Sequence, residues 1–475
     1  MVLLLHVFLS HIFFARAREH ECDDHAYRVQ EPGMKPEQTA GASATDYLVA
    51  SKNCEIIALE AFLRMGRLVV AVSNLVHALQ RERGAANLYL GAGGREHGDC
   101  LGQMEAGTDQ QYDRFRAALE EMGTEVSGVQ GGSRFFSRIA YVVHAFSELG
   151  ELRHQVRSNQ LSPEGASKVY SGLVHGLLSI VFEAAETAMD PSISRLLVAM
   201  FNFMQGKELA GQERAAAAAG FAMGQFDPSL KERLDHLDEA QQRCFEVFME
   251  FAEAPARTEW QKVKDAPEQQ ELDRLRRLAR ARPDERAAEP AALNKGIDQR
   301  WFWIATGRID AMKAVEDQLE SRLHELCEEK LRDAREGLAR QQTLIEDLLH
   351  QEHDPAQSFI VFCSAPGDVR AEFQQDSYHT DGVSPGLGRS IIDLVQAQSQ
   401  RLQQMNDELT AARTALEERK LLDKAKLLLM KHRGMSEEQA YKMLRQTAMD
   451  QSRRLVDVAR AMVAIGDVWT RTESK

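Results

Sequence analysis

Two arginines in this chain stand in matching surroundings. Glu82-Arg83-Gly84-Ala85-Ala86 and Glu213-Arg214-Ala215-Ala216-Ala217 each set an acidic–basic pair ahead of small residues, inside otherwise apolar helical patterns. Small residues let neighbouring helices approach closely, so an arginine there has little water around it. A guanidinium in such a place needs an anion. Glu82 and Glu213 are one residue away and point to a different sector of the helix, so they are not the evident partners. Two chemistries fit. The forks of Arg83 and Arg214 converge on a small planar oxyanion through bidentate hydrogen bonds, or each arginine closes a structural salt bridge between helices. The echo itself suggests two related half-domains facing each other.

A second set of residues lies at the C-terminal end. Arg419, Lys426 and Arg433 are seven apart, as are Lys424 and Lys431. On a helix they form two basic stripes flanking an apolar face of Leu421, Leu422, Ala425, Leu428 and Leu429. Tyr441 and Arg445 are one turn apart with Met449 nearby, and Arg453 and Arg454 follow at the next turn. Cations beside an aromatic ring suit nucleic acid, with charges for phosphates and a flat face for stacked bases. The competing reading is a solvated Lys/Arg face whose stems cover apolar surface, with Tyr441 half-buried. The segment is basic, with 13 Lys/Arg against 7 Asp/Glu over Arg419–Lys475, in a chain whose net charge is −14.

The elements that position these residues read as helices, and the fold class expected is all-α. Residues Leu63–Leu90 form one long amphipathic pattern, stopped by Gly91-Ala92-Gly93-Gly94. Further helices are expected near Gln110–Glu121, Arg134–Leu152, Ser162–Met189 and Ser192–Phe226. Residues 1–59 are expected to be a poorly ordered extension. Its apolar start has no preceding Lys or Arg and is too short to span a bilayer, which points to an over-long start with Met34 the natural one. The charged stretch Ala256–Gly296, with Pro267, Pro283 and Pro290, is expected to be a mobile loop or frayed helix. Residues 351–388 read as a linker, within which Ser358–Cys363 is an apolar run suited to docking on a helix.

Heptads then begin. Val395, Leu402, Leu409 and Leu416 take one core position, and Gln398, Met405, Ala412 and Arg419 the other. This predicts a two-stranded coiled coil over 389–418 and a homodimer, the alternative being one amphipathic helix packed on its own chain. Past it, Gly434 stops a helix and Ser436-Glu437-Glu438-Gln439 is a capping box opening the next. A third helix carrying Leu455, Val458, Ala459, Met462 and Val463 completes a small three-helix bundle.

No phosphate-binding loop, nucleophile elbow, zinc-hydrolase pair or spaced carboxylate pair is present, so no enzyme activity and no cofactor are expected. The six cysteines are scattered, as in a reducing cytoplasm. His20-x-Cys22-x-x-His25 and His350-x-x-His353 lack a second ligand pair, so no metal is expected. No membrane association is expected either.

Several blocks also carry a family resemblance. Ala425-Lys426-Leu427-Leu428-Leu429-Met430, Gln439-Ala440-Tyr441 and Leu444-Arg445-Gln446-Thr447-Ala448-Met449-Asp450 closely resemble the ANTAR domain, with Leu427 where that family often has Gly. The resemblance implies binding to leader-RNA stem-loops in transcription antitermination. Gln80-Arg81-Glu82-Arg83-Gly84 and Phe203-Met204-Gln205-Gly206-Lys207-Glu208-Leu209-Ala210-Gly211-Gln212-Glu213-Arg214-Ala215 resemble the signature blocks of the nitrate- and nitrite-sensing NIT domain, as does Trp301–Glu316. That resemblance implies paired four-helix bundles over about 60–350, holding nitrate or nitrite between Arg83 and Arg214. Together they make the chain similar to nitrate-responsive antiterminators of the NasR type, with Lys424, Lys426, Lys431, Tyr441, Arg445, Met449, Arg453 and Arg454 as candidate RNA contacts. A helical scaffold or a DNA-binding regulator, neither with an anion response, is the competing reading.

Overall fold

The computed structural model describes residues 44–123, 132–281, 296–350, 359–363, 374–378 and 385–473. In chain order the helices are α1 (Ala44–Gly91), α2 (Gly98–Met122), α3 (Gly132–Phe146), α4 (Leu149–Arg157), α5 (Pro163–Thr187), α6 (Pro191–Met223), α7 (Pro228–Phe251), α8 (Ala254–Asp265), α9 (Pro267–Arg280) and α10 (Ile297–His350). After them come a two-stranded ladder, β1 (Phe359–Cys363) and β2 (Gln374–Tyr378), and the helices α11 (Pro385–Arg433), α12 (Glu437–Asp450) and α13 (Leu455–Glu473). The fold is all-α apart from that ladder.

Three helices open on the same device. Ser162, Asp190 and Asp227 accept hydrogen bonds from the first-turn amides of α5, α6 and α7, and each is followed by proline. A side-chain oxygen satisfies an orphan N–H, and proline at the first helical position gives up no bond. The central element is α6. It is buried on nearly every side between Ile193 and Arg214 and packs on α5, α7, α10 and α11. The long helix α1 packs on α2, α5 and α10. A main core runs from Leu68, Leu75 and Leu79 of α1 through Phe203 of α6 to Leu319 and Leu323 of α10. A second core joins Phe221, Leu234, Leu275 and Trp301, and a third, around Ala425, Leu444 and Ala459, holds the C-terminal bundle together. That bundle has the expected starts and stops. Gly434 has φ 62°, and in the capping box Ser436 Oγ accepts from Gln439 N while Gln439 Oε1 accepts from Ser436 N.

Four expectations change. Residues 44–59 are the first turns of α1 and bury Leu48 and Leu59; the readings placed on residues 1–33 lie outside the described residues. Between Ala256 and Arg280 the chain is helical, because Pro255 and Pro267 begin α8 and α9 where a proline is tolerated rather than breaking them. The aromatic anchor there is Trp260, 3% exposed, with ring centroids 4.4 Å from Phe245 and 5.4 Å from Phe203. Trp260→Ala is expected to cost about 3–5 kcal/mol of stability, read as a lowered denaturant midpoint. A change under about 1 kcal/mol would show α8 to be peripheral after all.

The apolar run ending at Cys363 is a strand, antiparallel to β2 with Phe359 opposite Tyr378 and Cys363 opposite Gln374. Finally, the lower heptads of α11 are not free for a second chain. Ala412 and Leu416 are fully buried in the main core, and Leu409 is buried too. A 3.5-residue apolar period requires a buried face without naming what covers it, and here the chain's own helices cover it from Leu409 onward.

Candidate anion site and nucleic-acid interface

Arg83 on α1 and Arg214 on α6 meet where the two helices cross. Both are buried, at 1% and 4% exposure. Arg83 Nη1 donates to Glu208 Oε1 at 2.5 Å and to Ser171 Oγ at 2.6 Å, and its Nη2 donates to Glu208 Oε2 at 3.1 Å. Among the described residues Arg214 has no such carboxylate. Its Nη1 donates to Thr306 Oγ1 at 2.9 Å and its Nη2 to the Gln80 carbonyl at 3.3 Å, with the Phe302 ring 5.0 Å away. Burial, and then the charge of Arg83, push the Arg214 pKa down to about 10. This is the signature of a cation short of a counter-ion.

The glutamates of the echo do point elsewhere. Glu82 is held by Arg153 of α4 at 2.8 and 2.9 Å and by the Tyr170 hydroxyl at 2.8 Å. Glu213 is held by Arg276 of α9 at 2.7 and 2.6 Å and by Gln241 at 2.9 Å. Burial opposes the Glu213 charge, but Arg276 outweighs it and lowers the pKa. The five-residue repeat is therefore a structural repeat. In each copy an outside arginine braces the glutamate, which fixes the helix so that its own arginine points inward. The segment containing α9 supplies one of the two braces.

Close approach of the helices rests on two glycines. A Cβ at Gly84 would lie 3.0 Å from Arg214 Nη2, and one at Gly211 would collide with Arg83 Nη2. Arg83 is held by Glu208 and Ser171, so the guanidinium can yield only by giving up those bonds. Gly211→Ala is expected to push the guanidinium out of place and weaken anion binding by roughly tenfold or more, read by titration calorimetry with sodium nitrate. Unchanged affinity would show that the fork does not contact the anion.

Part of the candidate nucleic-acid surface, Tyr441 and Arg445, is turned toward the sensor helix α7. Tyr441 is buried at 7%, with Arg243 4.4 Å over its ring and His236 edge-on at 5.0 Å. Arg445 pairs with Glu239, and Lys442 with Glu232 at 2.8 Å. His236 Nδ1 has no hydrogen-bond partner, and burial lowers its pKa, so the ring is kept neutral. Lys426 lies 2.9 Å from Asp423 and 2.7 Å from Glu437; burial opposes its charge, yet the two carboxylates raise its pKa. Lys424, Lys431, Met449 and Arg453 are exposed, and Arg454 pairs with Glu418 at 2.9 Å within the bundle. A cavity of about 650 Å³ lies between the two parts, with Arg83, Ser171 and Gln212 on one wall and Lys426 and Tyr441 on another.

Among known proteins, the NIT family, described as nitrate and nitrite sensing, matches residues 74–324. The nitrate regulatory protein of Klebsiella oxytoca is 34% identical over 427 residues, covering 90% of this chain and 96% of that protein. The chain belongs to the NIT family. The ANTAR domain matches residues 410–463. The solved structure of the NasR transcription antiterminator aligns with a TM-score of 0.54 at 32% identity, covering 89% of this chain and 99% of that one.

Within the NIT segment, the structure brings Arg83 and Arg214 together as expected, though both terminal nitrogens of the first are already engaged. Glu208, Gln80 and Gln212 were not singled out, although they lie in the same two sequence blocks. Their spacing is the available signal, since Gln80 is three residues from Arg83 and Gln212 four from Glu208, one helical turn in each case. Thr306 and Phe302 come from α10 and carry no such signal. Within the ANTAR segment, the eight candidate RNA residues do not act as one face. Tyr441 and Arg445 meet α7, Lys426 and Arg454 pair with carboxylates on α11 and α12, and Lys424, Lys431, Met449 and Arg453 lie on the surface. Leu427, where ANTAR sequences often have Gly, is 64% exposed and disturbs no packing.

Proposed function

We propose that this NIT–ANTAR chain is a one-component regulator that binds nitrate or nitrite between Arg83 and Arg214 and answers by releasing its ANTAR bundle to leader-RNA stem-loops. Bound there, the bundle promotes antitermination of nitrate-assimilation genes in the cytoplasm. The observation that carries this reading is Arg214, a buried guanidinium with no carboxylate in ion-pair distance among the described residues, set beside a second buried arginine. One monovalent planar anion supplies the missing charge, and its oxygens suit directional N–H donors. No catalytic chemistry is invoked, and among the described helices none is long and apolar enough to cross a membrane.

Coupling follows from the docked face. With Tyr441 and Arg445 held by α7, the bundle cannot offer its stacking ring and neighbouring cation to RNA. The anion needs to favour the undocked arrangement by about 1–3 kcal/mol for a useful switch. The test is hairpin-RNA binding by the full chain with and without sodium nitrate, with duplex DNA as competitor. Nitrate-dependent affinity for the hairpin, resisted by duplex, is expected. Equal RNA affinity in both conditions would refute the coupling, and duplex binding as tight as hairpin binding would favour a DNA-binding regulator.

A further inference from the structure

The carboxylate of Glu208 is held by an unusual number of donors. Arg83 gives two bonds, at 2.5 and 3.1 Å; Gln80 Nε2 gives one at 3.0 Å and Gln212 Nε2 one at 3.1 Å. Glu208 is 1% exposed, and Gln80 Oε1 beside it has no hydrogen-bond partner. This is a ring of N–H groups around a flat, singly charged, oxygen-bearing group. Nitrate and nitrite have the same charge, the same flat shape and the same acceptor chemistry as a carboxylate. The donors on Arg83 that would grip them are already in use.

Building on the function proposed above, we infer that Glu208 is a tethered occupant of the anion site, and that the oxyanion enters by displacing this carboxylate from Arg83. The charges permit such an exchange. Arg83, Arg214 and Glu208 together carry one net positive charge, and a monovalent anion that takes the place of Glu208 at the fork supplies the same negative charge there, so the local charge is unchanged. The released carboxylate has a place to go. Arg83 and Gln212 line the inter-module cavity, whose walls carry Lys168, Arg233 and Arg243 as well as Asp423, Glu437 and Glu438. A carboxylate turned into that cavity meets these cations as new partners. Glu208 thereby also sets sensitivity, since apparent affinity falls in proportion to the fraction of molecules whose site is open.

The competing role is a brace that holds Arg83 in position for the anion, and it predicts the opposite sign. A brace, once removed, lets Arg83 wander and weakens binding; a competitor, once removed, strengthens it. The experiment is calorimetric titration of the full-length chain with sodium nitrate, for wild type, Glu208→Gln and Glu208→Asp, with thermal melts to establish that each is folded. Glu208→Asp keeps the charge but shortens the arm, so it remains informative should the Gln variant fold poorly. Displacement predicts nitrate affinity raised roughly tenfold or more in a folded variant. A smaller gain, no change or a loss in the folded variants overturns it and makes Glu208 a brace. Absence of nitrate binding by wild type and both variants alike would refute the anion-sensing reading itself.

Discussion

An Arg214→Lys chain is expected to lose its nitrate response almost as completely as Arg214→Ala. The lysine keeps the charge but not the fork. In the native site Nη1 and Nη2 point in different directions, to Thr306 and to the Gln80 carbonyl, with the Phe302 ring beside the guanidinium plane. An ammonium is a compact point charge that cannot hold both directions at once, and it loses more than a guanidinium does on leaving water. Two charge-assisted hydrogen bonds at about 1.5–3 kcal/mol each put the loss above a hundredfold in Kd. Calorimetry on the full chain reads the affinity, and a thermal melt shows whether the variant is folded. Wild-type-like nitrate binding by the lysine variant would reduce Arg214 to a packing residue.

The second large effect is expected on the output side. Reversing two charges on α7, Glu232→Lys with Glu239→Lys, turns the attractions to Lys442 and Arg445 into repulsions. Each exposed pair is worth only about 0.2–1 kcal/mol, but the reversal counts the loss and the repulsion at both places, for roughly 1–4 kcal/mol in all. That is comparable to the free energy a typical effector supplies. The double variant should therefore bind hairpin RNA without nitrate, while its nitrate affinity stays the same or rises through linkage. Adding Lys442→Glu and Arg445→Glu should restore docking while weakening RNA affinity, because Arg445 is a candidate RNA contact as well as a docking residue. If the α7 reversal leaves RNA binding fully nitrate-dependent, the docked face is not what restrains the bundle.

Local features were legible in the sequence to the extent that their causes are local. The capping box at Ser436, the glycine stop at Gly434 and the inward faces of the C-terminal helices follow from spacing alone, and the structure contains them. The echo around Arg83 and Arg214 was legible too, because small residues beside an arginine signal close packing wherever they occur. What covers a buried face was not legible. The heptads of α11 are equally compatible with a second chain or with α6, and only the tertiary arrangement decides. Of the two readings of the stretch from Ala256, loop or frayed helix, the structure has helices as far as Arg280, because Pro255 and Pro267 occupy helix starts, where the usual penalty vanishes; residues 282–295 lie outside the described residues. The role of Glu208 was not legible, because a glutamate in a helical stretch gives no hint that its partner lies 125 residues earlier.

The burial of Ala412 and Leu416 in the main core bears on the order in which the molecule is made. At roughly 5–20 residues per second, the ribosome releases α1 some tens of seconds before these two side chains exist. Throughout that interval the sensor lacks part of its own interior. The two residues that complete it lie on the same unbroken helix as Lys426 and Lys431, so the core closes at about the moment the ANTAR bundle emerges beside it. If docking restrains the bundle as proposed, newly made chains reach their finished fold already restrained, and the anion acts on completed molecules.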